Sequence, residues 1–129
     1  MLAALVLGSA GVRAADFQPA IVFDMGGKFD RSFNQSAYEG AERFKKETGI
    51  AYRDFEITNA AQREQAFTQF ARRGATIIIG TGFTQASAIE RVAKQFPQTK
   101  FVMIDAVVDL PNVLSINFRE QESSFLCGM

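Results

Sequence analysis

Short apolar runs and longer amphipathic segments alternate along this chain. Residues 20–23 are wholly apolar, 76–80 form a β-branched run that ends at a glycine, and 100–105 form a mostly apolar run that ends in an acid. Apolar runs of this length are typical of buried parallel strands. Two weaker runs, 51–55 and 113–117, are predicted as further strands.

Between these runs, apolar residues recur at the spacing of a helix face. Helices are predicted over 32–48, over 59–73 with Asn59 as the N-cap, over 84–95, and from residue 120 onwards. This strand–helix alternation predicts an α/β fold with a doubly wound parallel sheet and right-handed crossovers.

The helix patterns also predict which residues are buried and which lie in turns. The aromatic residues expected in the core are Tyr38, Phe44, Phe67, Phe70 and Phe96. Asp109 and Asn112, on either side of Leu110 and Pro111, are predicted to be turn residues.

Composition narrows the possible function classes. The 129 residues include 14 basic and 14 acidic side chains and no histidine. A net charge of zero argues against a nucleic-acid partner, because binding to a phosphate backbone needs a basic surface. The absence of histidine removes the commonest metal ligand and the commonest general base. We expect no metal site and no cofactor.

Residues 1–15, MLAALVLGSAGVRAA, are predicted to be a secretory signal peptide. A short apolar stretch precedes small residues, and cleavage fits after Ala14 or Ala15, although no basic residue directly follows Met1. The apolar run is shorter than the roughly 20 residues that span a bilayer. Cys127 is the only cysteine, so we expect no internal disulfide and no lipid-anchoring cysteine after the cleavage site.

The first candidate site lies where the first strand gives way to the first helix. Asp24 ends the strand, and Phe33 and Asn34 open the helix. Open α/β sheets bind small ligands at the carboxyl ends of their strands. A carboxylate, an amide and an aromatic face together suit a planar, hydrogen-bonding ligand such as a purine base. The structural alternative is that Asp24 stabilises the loop, Asn34 caps the helix and Phe33 belongs to the core.

Two further candidates follow later strands. Gly82 and Phe83 lie between a strand and a helix, where glycine allows a ligand to approach the backbone closely. The glycine spacings of dinucleotide-binding and phosphate-binding loops are not present there. Asp105 ends the next strand, and its two oxygens can accept from a pair of ribose hydroxyls. The structural alternatives are a plain turn for the glycine loop and local bonds to backbone N–H groups for Asp105.

The segment DMGGKFDRSFNQ, from Asp24 to Gln35, resembles the opening signature of the basic membrane protein family. These are substrate-binding proteins of ABC importers, and their best-understood members bind purine nucleosides. The matching residues are Asp24, Gly26, Asp30, Ser32, Phe33, Asn34 and Gln35. The resemblance implies the N-terminal lobe of a type I periplasmic-binding-protein fold over residues 16–119. Residues 120–129 would then be the start of a truncated helix leading toward a missing second lobe.

The resemblance also implies a function. In the family the Asp24–Gln35 segment stacks on and hydrogen-bonds the nucleobase, the glycine loop lines the cleft, and the acid at Asp105 binds the sugar. We therefore expect a periplasmic protein that encloses a nucleoside between two lobes and delivers it to an ABC permease in the inner membrane. The full-length protein is expected to be a monomer, and this sequence resembles a soluble form without the lipid anchor of many members.

Three alternatives stay open. The same fold could bind riboflavin or another planar heterocycle, because stacking on Phe33 does not distinguish these rings from a purine. It could also serve as a sensor ectodomain. A secreted α/β hydrolase could use Asp24 and Asp105 as a carboxylate pair, but the sequence has no histidine and no G-x-S-x-G motif. We therefore expect a binding protein and not an enzyme.

Overall fold

A computed structural model describes residues 17–128, so the predicted signal peptide lies outside the described residues. One five-stranded sheet organises this part of the chain. Its strands are β1 (Pro19–Phe23), β2 (Arg53–Glu56), β3 (Ile77–Thr81), β4 (Lys100–Ile104) and β5 (Val113–Ile116). All neighbouring strands are parallel, in the order β2-β1-β3-β4-β5. The predicted parallel α/β sheet is confirmed.

Four α-helices connect or follow the strands. They are α1 (Phe33–Thr48), α2 (Gln62–Arg72), α3 (Ala86–Gln95) and α4 (Glu120–Cys127), with a 3₁₀ turn at Phe83–Gln85 before α3. Within residues 17–128, none of the helices combines the length and apolar character needed to cross a membrane.

The second helix begins later than predicted, and Asn59 does not cap it. Residue Ala61 occupies the N-cap position. The Asn59 carbonyl accepts from the Gln62 N–H at 3.2 Å, so this segment forms a turn before the helix. The Gln62 side chain reaches back to accept from the Thr58 N–H at 2.9 Å, which closes the turn locally.

The hydrophobic core lies between the sheet and helices α2 and α3. Phe67, Ile78, Ile89 and Met103 are completely buried there. Gly80 allows this close packing, because a Cβ at that position would lie only 2.6 Å from Cδ1 of Ile89. The tight fit brings α2 and α3 against the strands whose ends form the candidate site.

The predictions of aromatic core residues are confirmed in part. Phe67 and Phe70 are buried. Phe96 is half-buried and packs against the edge of the core. Tyr38 and Phe44, both on α1, are only half-buried. There α1 and the strands border an apolar groove of about 450 Å³.

Asp30 caps the N-terminus of α1 from three residues before its first residue, Phe33. Its carboxylate accepts from the backbone N–H of Ser32 at 2.8 Å, of Gln35 at 3.0 Å and of Asn34 at 3.2 Å. Partial desolvation raises the pKa of Asp30, but these donors outweigh it and hold the pKa below the usual 3.8. The loop between β1 and α1 is thereby fixed to the start of the helix.

Asn112 performs a similar task at the end of α3. Its side chain is buried, and its Nδ2 lies 3.0 Å from the Ala93 carbonyl oxygen and 3.1 Å from those of Phe96 and Thr99. These carbonyls lie where α3 ends and leads into β4, so they have few helical partners. The predicted turn residue is therefore a tertiary cap that joins the end of α3 to the start of β5.

We expect Asn112→Ala to lower the free energy of unfolding by about 2 kcal/mol, because buried carbonyls would lose their donor. Urea denaturation measures this change. Asn117→Ala is the matched control, since Asn117 is exposed just after β5. Equal stability of the two variants would contradict the capping role.

Asp30→Asn tests the cap of α1 through its pH dependence. Because the folded-state pKa of Asp30 is lowered, its stabilising effect is present above pH 3.8 and is lost as the pH falls through the folded-state value. The variant should therefore unfold at a lower temperature than the wild type near neutral pH. The gap should narrow below about pH 4 in thermal melts followed by circular dichroism.

Asp109→Asn, an exposed acid outside the cap, is the control for the pH series. Its melting temperature should track that of the wild type at every pH. A gap between Asp30→Asn and wild type that stayed constant with pH would rule out a charged cap.

Candidate functional site

The sheet has a single change of direction, and the candidate site lies beside it. From β1 the chain moves to β2 on one side, and it later returns to β3 on the other side. The loops that follow β1 and β3 therefore leave the sheet in opposite directions and open a crevice at the carboxyl edge. Asp24 follows β1 and Gly82 follows β3, so the two residues flank this crevice.

The Asp24 carboxylate is held from two sides. Its Oδ1 accepts from NH2 of Arg63 on α2 at 3.2 Å. Its Oδ2 accepts from the hydroxyl of Thr84 in the 3₁₀ turn. The side chains of Asp24 and Arg63 are only 17% and 14% exposed, so this ion pair is largely shielded from water. The carboxylate is consequently fixed in position at the crevice.

Asn34 lies beneath Asp24 and is buried, and its amide is engaged within the protein. Its Oδ1 accepts from the Asp24 N–H at 3.2 Å and from the Thr81 hydroxyl at 2.9 Å. Its Nδ2 donates to the Asp24 carbonyl at 3.3 Å. These bonds join β1, β3 and the first turn of α1. The structure thus gives Asn34 a positioning role, and ligand contact through this residue stays a prediction.

A second buried amide continues this polar layer, and the sequence analysis missed it. Gln85 is completely buried, and its Nε2 donates to the Thr81 carbonyl at 2.6 Å and to the Val22 carbonyl at 3.1 Å. Thr81 is also completely buried. The floor of the crevice is therefore polar and fully packed. The sequence did contain one indication of their role, because Thr81 and Gln85 directly flank the glycine loop.

Two phenylalanines meet at the same edge. The ring of Phe33, at the start of α1, lies 6.1 Å from the ring of Phe118 at an interplanar angle of 88°. Phe118 is 54% exposed and follows β5 by two residues. Phe118 was not among the predicted site residues, although an aromatic residue shortly after a strand indicates a place at this edge. Phe83 is 68% exposed beside the glycine loop.

Several residues at this edge have a positive φ, and two of them, Gly82 and Asp105, adjoin each other. Gly82 has φ +96°, and a Cβ there would lie 3.0 Å from Asp24 Oδ2, so glycine is required both by conformation and by space. Asp105 has φ +77°, which is unfavourable for a residue with a side chain. Its N–H donates to the Ile116 carbonyl at 2.8 Å. Strained non-glycine residues cluster at functional sites.

The structure places all six predicted site residues at the carboxyl edge of the sheet. Asn34 hydrogen-bonds Asp24, a Cβ added at Gly82 would lie 3.0 Å from Asp24 Oδ2, and Phe33 precedes Asn34 in the same helical turn. Asp105 adjoins Gly82, because the Gly82 N–H donates to the Ile104 carbonyl at 3.1 Å. Among residues 17–128, no side-chain donor lies within hydrogen-bond distance of the Asp105 carboxylate. The edge thus offers carboxylate acceptors and aromatic faces.

Comparison with known proteins agrees with this architecture. Residues 17–129 match the Bmp family, described as ABC transporter substrate-binding protein PnrA-like. The chain is 35% identical over 127 residues to the ABC transporter nucleoside-binding protein BmpA of Lactococcus lactis, covering 95% of this chain and 36% of that protein. It is 34% identical to an uncharacterised lipoprotein of Pyrococcus horikoshii, covering 100% of this chain and 35% of that protein. The chain thus spans about a third of the length of these relatives.

A solved structure shares the fold. The crystal structure of an ABC transporter solute-binding protein from Aeropyrum pernix superposes with a TM-score of 0.81 at 34% identity, over 87% of this chain and 31% of that one. The family match includes every residue of the candidate site. On these grounds the chain belongs to the Bmp family of ABC transporter substrate-binding proteins.

Proposed function

We propose that this protein is the extracytoplasmic substrate-binding component of an ABC importer and that its ligand is a nucleoside, most simply a purine nucleoside. The observation that carries the proposal is a fixed carboxylate, Asp24, at the crevice of the sheet, whose backbone is hydrogen-bonded by Asn34, the residue directly after the aromatic Phe33. The nucleoside-binding name of the Lactococcus lactis relative supports the same ligand class.

Each site residue has a distinct task in this proposal. Phe33 stacks on the base, and Asp24 accepts hydrogen bonds from ring or exocyclic N–H groups. Asp105 accepts from the ribose hydroxyls, since its carboxylate has no side-chain donor within the described part of the chain. Gly82 lets the ligand approach the backbone, and Phe83 is exposed beside it. Asn34 contributes by fixing Asp24, in addition to any contact of its own.

The candidate site lies at the edge of one lobe, where a second lobe can cover it. We propose that a second lobe closes over the nucleoside, as in other two-lobed binding proteins, and that the closed monomer delivers it to an ABC permease in the inner membrane. The chain spans about a third of its relatives' length, so the other half of the cleft belongs to the longer protein in this proposal.

We propose binding and not hydrolysis, because the relatives of this chain are substrate-binding proteins. Arg63 and Thr84 each donate one hydrogen bond to an oxygen of Asp24. Each oxygen keeps a second lone pair that can accept from a ligand's N–H group.

Isothermal titration of the protein at its full natural length tests this function. We expect saturable binding of purine nucleosides, weaker binding of riboflavin, and no hydrolysis of the bound nucleoside over hours. Riboflavin binding in preference to every nucleoside would replace the proposed ligand class. Release of free base would contradict a pure binding role.

Phe33→Ala tests the stacking contact. Stacking of a base on an aromatic side chain is worth about 1–3 kcal/mol, so we expect nucleoside affinity to fall by about tenfold or more. Phe55→Ala is the matched control, because Phe55 lies on edge strand β2 and is 39% exposed. Its affinity should stay within about twofold of wild type. Equal affinities of the two variants would remove Phe33 from the site.

A further inference from the structure

We propose that Arg63 and Thr84 are positioning residues that hold the Asp24 carboxylate in the orientation that receives the ligand. The inference rests on the proposed function and adds two residues that lie outside the Asp24–Gln35 signature. Arg63 comes from α2 and Thr84 from the turn before α3. Helix α2 and the 3₁₀ turn before α3 thus each supply one donor to a single carboxylate at the crevice.

The geometry leaves Asp24 little freedom. Arg63 binds Oδ1 at 3.2 Å and Thr84 binds Oδ2, so the two donors fix the plane of the carboxylate. Asn34 holds the Asp24 backbone N–H and carbonyl at 3.2 and 3.3 Å. Gly82 lies close to the same carboxylate, because a Cβ at that position would lie 3.0 Å from Oδ2. The backbone and the side chain of Asp24 are therefore both constrained.

Stability alone does not explain this arrangement. A largely buried ion pair gains little net free energy, because both charges lose their hydration. In addition, Arg63 Nε is buried and has no hydrogen-bond partner among the residues the structure describes. A buried donor without a partner is unfavourable and calls for an explanation. Orientation of a ligand-binding carboxylate supplies that explanation, since binding sites depend on a second layer of side chains that fixes the first.

The experiment measures nucleoside affinity of the full-length protein and of a set of variants. Arg63→Gln should weaken binding by about tenfold, because Asp24 loses its charged donor. Arg63→Lys restores the charge and should recover binding to within about threefold of wild type. Arg91→Met is the matched control, since it removes the exposed ion pair to Glu64, the neighbour of Arg63 on α2. Its affinity should stay within about twofold of wild type.

A double-mutant cycle separates positioning from direct contact. If Arg63 acts through Asp24, adding Arg63→Gln to Asp24→Asn should change affinity by less than about threefold. A tenfold loss in both backgrounds would mean that Arg63 contacts the ligand itself, and this outcome overturns the inference. Wild-type affinity in Arg63→Gln also overturns it.

Thr84→Val decides the question if Arg63→Gln fails to fold. Thr84 is exposed, so the variant should keep the melting temperature of the wild type. We expect its affinity to fall by about three- to tenfold, because Oδ2 of Asp24 loses its donor. Unchanged affinity overturns the inference. If wild-type protein binds no nucleoside, the proposed function fails instead, and the two failures remain distinct.

Discussion

The hydrogen bonds of one buried amide, Asn34, determine how the carboxyl edge of this sheet is built. Where β1 and β3 separate, the Asp24 N–H would be left unpaired, whereas the Asp24 carbonyl also accepts from the Gly27 N–H at 3.2 Å. Asn34 accepts from the first and donates to the second, and it also accepts from Thr81 on β3. The crevice can therefore exist without unpaired backbone groups around Asp24. The start of α1 is fixed to both strands by the same side chain.

The packing of α2 and α3 against the sheet determines where the other residues around Asp24 lie. Gly80 lets Phe67 and Ile89 approach β3, and this close contact determines the position of α2 and α3. Arg63 on α2 and Thr84 before α3 then reach the same carboxylate. Core packing thus places the groups that orient Asp24. A change in the core at Gly80 would alter the site without touching any ligand-facing residue.

The sequence was sufficient to predict the edge of the sheet but not its internal contacts. The apolar runs predict β1, β3 and β4, and the parallel arrangement then places Asp24, Gly82 and Asp105 together. The partners of these residues come from distant parts of the chain: Arg63 is 39 positions and Thr84 is 60 positions from Asp24.

No local pattern encodes such contacts, because they depend on how the helices pack. The capping role of the buried Asn112 side chain, which was predicted only as a turn residue, could not be predicted for the same reason.

The charge balance at the crevice has a consequence for ligand choice under the proposed function. Arg63 compensates Asp24, while Asp105 has no cationic partner within 4 Å among the described side chains. The Asp105 carboxylate therefore presents an uncompensated negative charge beside the glycine loop. An anionic ligand such as a nucleotide would be repelled there, whereas a neutral nucleoside brings hydroxyl and N–H donors that the two carboxylates can accept. The electrostatics of the edge and the stacking surface of Phe33 thus favour the same class of ligand.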